Sequence, residues 1–169
     1  MMRKKAVSYW CLPDETEAAP IEAVIAALAA AQGAPVFAPH LTLATLTQPA
    51  TDLGDVLRAL RGLTLAPIGL DGTAVFTTSL FIRFAASEAL LQARAMMTAL
   101  PGFRESRPFD PHLSLCYGPP PDLAPHHSAI DALLTHPLRF NRLAAMEVSL
   151  PVETHEDVAG WRIAEVWAL

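Results

Sequence analysis

Two stretches of this chain alternate polar residues with leucine at period two, and they are near copies of each other. Phe37-Ala38-Pro39-His40-Leu41-Thr42-Leu43 returns as Phe109-Asp110-Pro111-His112-Leu113-Ser114-Leu115, with five of seven positions identical and a sixth exchanging threonine for serine. That period belongs to a strand with one buried face. His40 and Thr42 therefore share the face opposite Leu41 and Leu43, and His112 and Ser114 repeat the arrangement. A core needs neither an imidazole nor a hydroxyl, so the duplicated polar pair marks chemistry rather than packing.

The remaining pattern predicts alternating strands and helices. Residues 6–12 read as a strand left through Pro13-Asp14-Glu15, and a helix follows with Pro20 in its first turn, ending near Gly33. Residues 36–47 form the first His strand. A helix carrying Leu53, Val56, Leu57 and Leu60 is capped by Thr51-Asp52 and stopped by Gly62. Strands are expected at 63–70 and 75–84, with a turn at Asp71-Gly72, and a helix at 87–100 capped by Ser87. An exposed basic connection, 104–108, leads into the second His strand at 109–117. Gly118-Pro119-Pro120-Pro121 ends that strand, a helix follows over 122–135, and strands at 138–150 and 161–169 flank an acidic loop.

Each His strand is preceded by a helix and followed by helix, strand, turn and strand. The expected fold is α+β: two pseudo-symmetric lobes, each an antiparallel sheet with outer helices, sharing a central cleft lined by the two His strands. One bilobal domain spans residues 1–169, and a monomer is expected because each half has its partner in the other. His40 and His112 are far apart in sequence, so only such packing makes them one site.

Composition narrows the chemistry. Hydrophobic residues at 52% and charged residues at 17% exclude disorder. A net charge of −5, with ten arginines and two lysines, argues against broad electrostatic binding to duplex nucleic acid. A small anionic substrate held by a few aimed groups fits better. Met1-Met2-Arg3-Lys4-Lys5 resembles the charged start of a signal peptide, but Pro13-Asp14-Glu15 breaks the short apolar stretch after it. The apolar run at 21–31 is too short to span a bilayer, so a cytoplasmic protein without membrane contact is expected. Cys11 and Cys116 lack metal-ligand spacing and read as buried free thiols.

Two imidazoles, each beside a hydroxyl, suit phosphate ester chemistry. In-line displacement at phosphorus needs a base on one side and an acid on the other. Histidine serves both near neutral pH, with an unperturbed pKa of about 6.5. Thr42 and Ser114 would donate hydrogen bonds to the non-bridging oxygens, where charge grows in the transition state. No carboxylate cluster accompanies the histidines in sequence, so neither a metal nor another cofactor is called for.

With the paired His-Leu-Thr-Leu and His-Leu-Ser-Leu, the chain resembles the two-histidine (2H) phosphoesterase superfamily. Within it the likeness is greatest to the cyclic phosphodiesterase branch of plants and yeast. Ser8-Tyr9-Trp10-Cys11-Leu12-Pro13-Asp14-Glu15 looks like that branch's first strand and turn, Tyr117 stands where it places a substrate-facing tyrosine, and Phe140-Asn141-Arg142-Leu143 resembles its penultimate strand. The chain departs from plant members at Ala74-Val75-Phe76-Thr77-Thr78, where they carry an aromatic run and an amide.

The resemblance implies hydrolysis of a nucleoside 2′,3′-cyclic phosphate or an ADP-ribose 1″,2″-cyclic phosphate. Ring opening that leaves a 2′-phosphate implies His40 as acid and His112 as base. Tyr117, Trp10 and Phe76 are the expected substrate-binding residues, and Arg104 and Arg107 stand where a second phosphate would be reached. His126-His127, adjacent rather than a helical turn apart, make a poor metal pair, and His136 and His155 are expected at the surface. Two other readings compete. A 2′-5′ RNA ligase-like phosphoesterase acting on RNA ends would want a basic groove. A nucleotide-binding module would show no turnover.

Overall fold

The computed structural model describes residues 2–105 and 107–169. Along this chain run β1 (Lys4–Pro13), α1 (Glu15–Gln32), β2 (Leu41–Leu46), α2 (Gly54–Leu60), β3 (Thr64–Leu65), β4 (Pro67–Asp71), β5 (Leu80–Phe84), α3 (Glu88–Thr98), β6 (His112–Cys116), α4 (His127–Leu133), β7 (Leu138–Leu150), α5 (His155–Ala159) and β8 (Arg162–Ala168). The strands form one antiparallel sheet in the order β3-β7-β1-β2-β6-β5-β4, and β8 also pairs β7, beyond the two residues that β3 occupies.

The two His strands are neighbours, joined in register only at Leu41 and Leu113. β1, β7 and β8 extend the sheet on the β2 side, and β5 and β4 extend it on the β6 side. The result is two lobes meeting at a narrow seam, as the doubled pattern led us to expect. The helices cross over: α1 leads into β2 but packs on β6, while α3 leads into β6 but packs on β2. Leu41, Leu43, Leu113 and Leu115 are all fully buried in one core with Ile25, Leu28, Leu90 and Met97 of those helices.

Several boundaries differ from the sequence pattern for local reasons. α1 starts at Glu15, because Asp14 caps it by accepting from the Thr16 amide, and Pro20 lies inside the helix rather than in its first turn. Burial of Ile21, Val24, Ile25 and Leu28 outweighs the hydrogen bond lost at Pro20. Residues 63–70 split around Ala66, with β3 pairing β7 and β4 pairing β5. The expected strand at 75–84 starts only at Leu80. Phe76–Thr78 is a 3-10 turn, held by the Thr73 hydroxyl on the Thr78 carbonyl and hydroxyl. Such side-chain bonds compete with strand pairing. The helix expected at 122–135 divides into a 3-10 turn, Ala124–His126, and α4. The acidic loop contains α5, closed by a capping box between Thr154 and Asp157. Cys11 and Cys116 are buried and free. Among the described residues no helix is long and apolar enough to cross a membrane.

Candidate active site

The two histidines are held by the same device. His40 Nδ1 lies 2.7 Å from the Ala38 carbonyl, and His112 Nδ1 lies 2.8 Å from the Asp110 carbonyl. A carbonyl only accepts, so each Nδ1 carries the proton and each Nε2 is left for a ligand. The prolines between, Pro39 and Pro111, favour an extended residue before them and so aim those carbonyls. Both imidazoles line one cleft of about 1190 Å³ that opens over the seam.

Each His strand then bulges at the same motif leucine. β1 pairs Trp10 with Thr42 and Tyr9 with Ala44, passing over Leu43. β5 pairs Phe81 with Ser114 and Leu80 with Cys116, passing over Leu115. Trp10 and Phe81 are thus pseudo-symmetric partners, each opposite a motif hydroxyl and against a motif histidine. Trp10 lies flat on His40 with ring centroids 3.6 Å and planes 11° apart, while Phe81 tilts against His112 at 5.1 Å. The bulge also brings Thr45 to the cleft face beside Thr42, although the odd spacing of three positions would otherwise put them on opposite faces. Thr45 Oγ1 is 3.2 Å from Ser8 Oγ, which accepts from Trp10 Nε1 at 2.9 Å, so a hydroxyl pair fixes the indole over His40.

His40 is 8% exposed, enclosed by Trp10, the edge of Trp161 at 5.9 Å and Phe37 at 6.2 Å. Burial pushes its pKa down from 6.5 to about 4. The Ala38 hydrogen bond opposes that shift, and the His112 charge adds to it. His112 is half-buried.

The other expected site residues also border the cleft, in different states. Thr42 Oγ1 has no hydrogen-bond partner among the described residues and faces the cleft. Ser114 Oγ donates instead to the Thr77 carbonyl at 2.7 Å. Tyr117 is buried, stacked on Phe37 at 3.9 Å, and burial raises its phenol pKa. Phe76 leans on Tyr117 at 5.8 Å. Trp10 is 3% exposed, with the face toward His40 already covered. Arg104 and Arg107 line the cleft mouth. His126, His127, His136 and His155 do not line it.

Sequence reasoning missed Phe81, Trp161 and Arg94. Ser8-Tyr9-Trp10 and Ser79-Leu80-Phe81 share a serine two residues before the aromatic, a signal extending the repeat into the partner strands. Trp161 stands edge-on to His40, Trp10 and Tyr117, and its buried Nε1 has no acceptor among the described residues. No sequence signal places it there. Among the described residues, no three His, Cys, Asp or Glu side chains cluster in a metal-ligating group.

Comparisons with known proteins identify the family and the fold. Residues 12–149 match the 2′-5′ RNA ligase superfamily. The fold is similar to Escherichia coli LigT complexed with NADP+, at TM-score 0.52 and 19% identity over 99% of both chains. It is similar to the same protein complexed with 3′-AMP, at TM-score 0.51 and 19% identity over 98% of both. Kluyveromyces marxianus Usb1 is more distant, at TM-score 0.42 and 14% identity over 88% of this chain and 98% of that one. No curated protein matches the chain in sequence.

Proposed function

Because the chain belongs to the 2′-5′ RNA ligase superfamily, we propose that it hydrolyses a cyclic phosphodiester, a nucleoside 2′,3′-cyclic phosphate or ADP-ribose 1″,2″-cyclic phosphate, between His40 and His112. One observation carries this reading. Two imidazoles, His40 just ahead of β2 and His112 at the start of the adjoining β6, border one cleft, and matching Nδ1–H bonds leave both Nε2 atoms for substrate.

One Nε2 takes a proton from water as its oxygen attacks phosphorus. The other gives a proton to the departing ring oxygen, and the P–O bond of the ring breaks. Thr42 supplies a hydrogen bond to a non-bridging oxygen, and Ser114 joins once its hydroxyl turns from Thr77. The reading assigns no metal. Burial supports His40 as base and His112 as acid, the reverse of the roles implied by the resemblance. With a pKa of about 4, His40 is protonated in only about one molecule in a thousand at pH 7. It enters the reaction ready to accept a proton. The free buried cysteines suit a reducing compartment, and we place the protein in the cytoplasm.

The test is turnover of the four nucleoside 2′,3′-cyclic phosphates and of ADP-ribose cyclic phosphate, in EDTA, by wild type, His40→Ala and His112→Ala. Turnover that survives EDTA and collapses in both variants is expected, and the product isomer reports which ring bond breaks. Folded wild type that turns over none of these substrates sinks the reading.

A further inference from the structure

The seam between the lobes is closed by a cation where strand pairing stops. Beyond Leu41 the edge of β2 is not covered by β6. Arg94 of α3 donates from Nη1 to the Leu43 carbonyl at 2.7 Å. The Arg104 amide donates to Thr45 at 2.9 Å, the Thr47 amide donates to Gly102 at 2.8 Å, and Phe103 bridges to Leu46. Gly102 permits the approach: its φ is +83°, and a Cβ there would lie 2.5 Å from Thr47 Oγ1.

Arg94 is clamped rather than neutralised. Its guanidinium sits over Phe103 at 4.9 Å and over Phe109 at 4.7 Å. Its remaining N–H donors have no carboxylate at ion-pair distance among the described residues, although Glu105 acts on it electrostatically from the same loop. Partial burial lowers its pKa. Arg104 and Arg107 form no ion pair among the described residues, and all three arginines line the cleft. The acidic residues of the rim are occupied: Asp110 by Arg83, and Glu153 by Arg3.

The pseudo-twofold makes this end of the cleft distinct. Phe37 of the first motif stacks on Tyr117, whereas Phe109 of the second stacks on Arg94. One end is neutral and aromatic, and the other is cationic. The cation hangs on Leu43, the residue after the motif hydroxyl Thr42.

We infer that Arg94, with Arg104 and Arg107, is a subsite for a second phosphate, so the substrate is a cyclic-phosphate nucleotide carrying another phosphate group. This rests on the proposed function and narrows its substrate. The second phosphate comes either from a 5′-phosphate or internucleotide linkage, or from the pyrophosphate of an ADP-ribose-type molecule. A planar fork already held by two rings and a carbonyl binds such an oxyanion with little ordering cost.

Binding tests the subsite without turnover. Calorimetry on His112→Ala compares adenosine 3′-monophosphate with adenosine 3′,5′-bisphosphate, then repeats with Arg94→Lys and with the exposed pair Arg104→Gln/Arg107→Gln added. The bisphosphate is expected to bind about tenfold to a hundredfold tighter, and both sets of changes to shrink that ratio. Equal affinities, or a ratio unmoved by either set, overturn the subsite. Wild-type kcat/KM for a 5′-phosphorylated cyclic nucleotide, a dinucleotide ending in a cyclic phosphate and ADP-ribose cyclic phosphate then identifies the source of the second phosphate. A bisphosphate preference without turnover of any of them keeps the subsite and removes the hydrolase reading.

Discussion

The Trp10 indole lies parallel to the His40 imidazole, 3.6 Å away between ring centroids, and Phe81 holds the matching place over His112 from the other lobe. The two sides are unequal. Trp10 is tied down through Ser8 and Thr45 and helps enclose His40, whereas Phe81 only tilts against a half-buried His112. A nearly symmetric repeat thus presents one sealed imidazole and one more accessible imidazole, the asymmetry that the proposed acid–base division of labour would use.

Removing the Trp10 ring should change how His40 titrates. Trp10→Leu admits water to the imidazole and lets its pKa rise from about 4 toward 6.5. The acid limb of kcat/KM should therefore move to higher pH. A pH–rate profile measures this, and an unmoved limb would show that Trp10 does not control the base.

His40 should also leave a mark on stability. Its folded-state pKa lies below the unfolded value of 6.5, so its contribution is complete above pH 6.5 and lost as pH falls toward 4. The loss is about 3 kcal/mol across that window, because the unfolded chain binds a proton that the native chain refuses. Urea titrations of wild type and His40→Gln at several pH values read it. Parallel pH dependence in the two proteins would contradict the buried neutral state.

Ser8→Ala should cost more than its size suggests. It strips the acceptor from a buried Trp10 N–H, a loss of about 1–3 kcal/mol. Chemical denaturation gives the number. A loss in kcat should accompany it, smaller than that of His40→Ala, because the imidazole keeps its bond to Ala38.

The two motif hydroxyls should not be equivalent. Ser114 must give up its 2.7 Å bond to Thr77 before it serves substrate, and Thr42 has no such bond to break. Thr42→Val is expected to lower kcat by about a hundredfold or more, the range of a lost oxyanion donor, and Ser114→Ala by less. Single-turnover rates decide the order, and equal losses would mean that the Thr77 bond has no energetic weight.

Much of this site was legible in the chain itself. Period-two alternation placed each histidine and hydroxyl on one strand face, and duplication of the motif announced a two-lobed fold. These are local properties, set by the strand's two-residue repeat and by proline's effect on the residue before it. The bulges at Leu43 and Leu115 were not legible, since a bulge depends on the partner strand as well as its own. They decide that Thr45 joins Thr42 on the cleft face and that Trp10 and Phe81 oppose the motif hydroxyls.

Tertiary structure alone decided the rest. Phe76–Thr78 reads as strand but forms a 3-10 turn, because the Gly118 amide and the Ser114 and Thr73 hydroxyls take its carbonyls. Trp161 reaches His40 from the far end of the chain, and Arg94 reaches the seam from a helix that reads as ordinary. Whether a histidine is sealed or open, and whether an arginine is paired or free, follows from long-range contacts that exist only after folding. Such contacts set the local dielectric and the available partners, which is why the residue types at the site were predictable and their charge states were not.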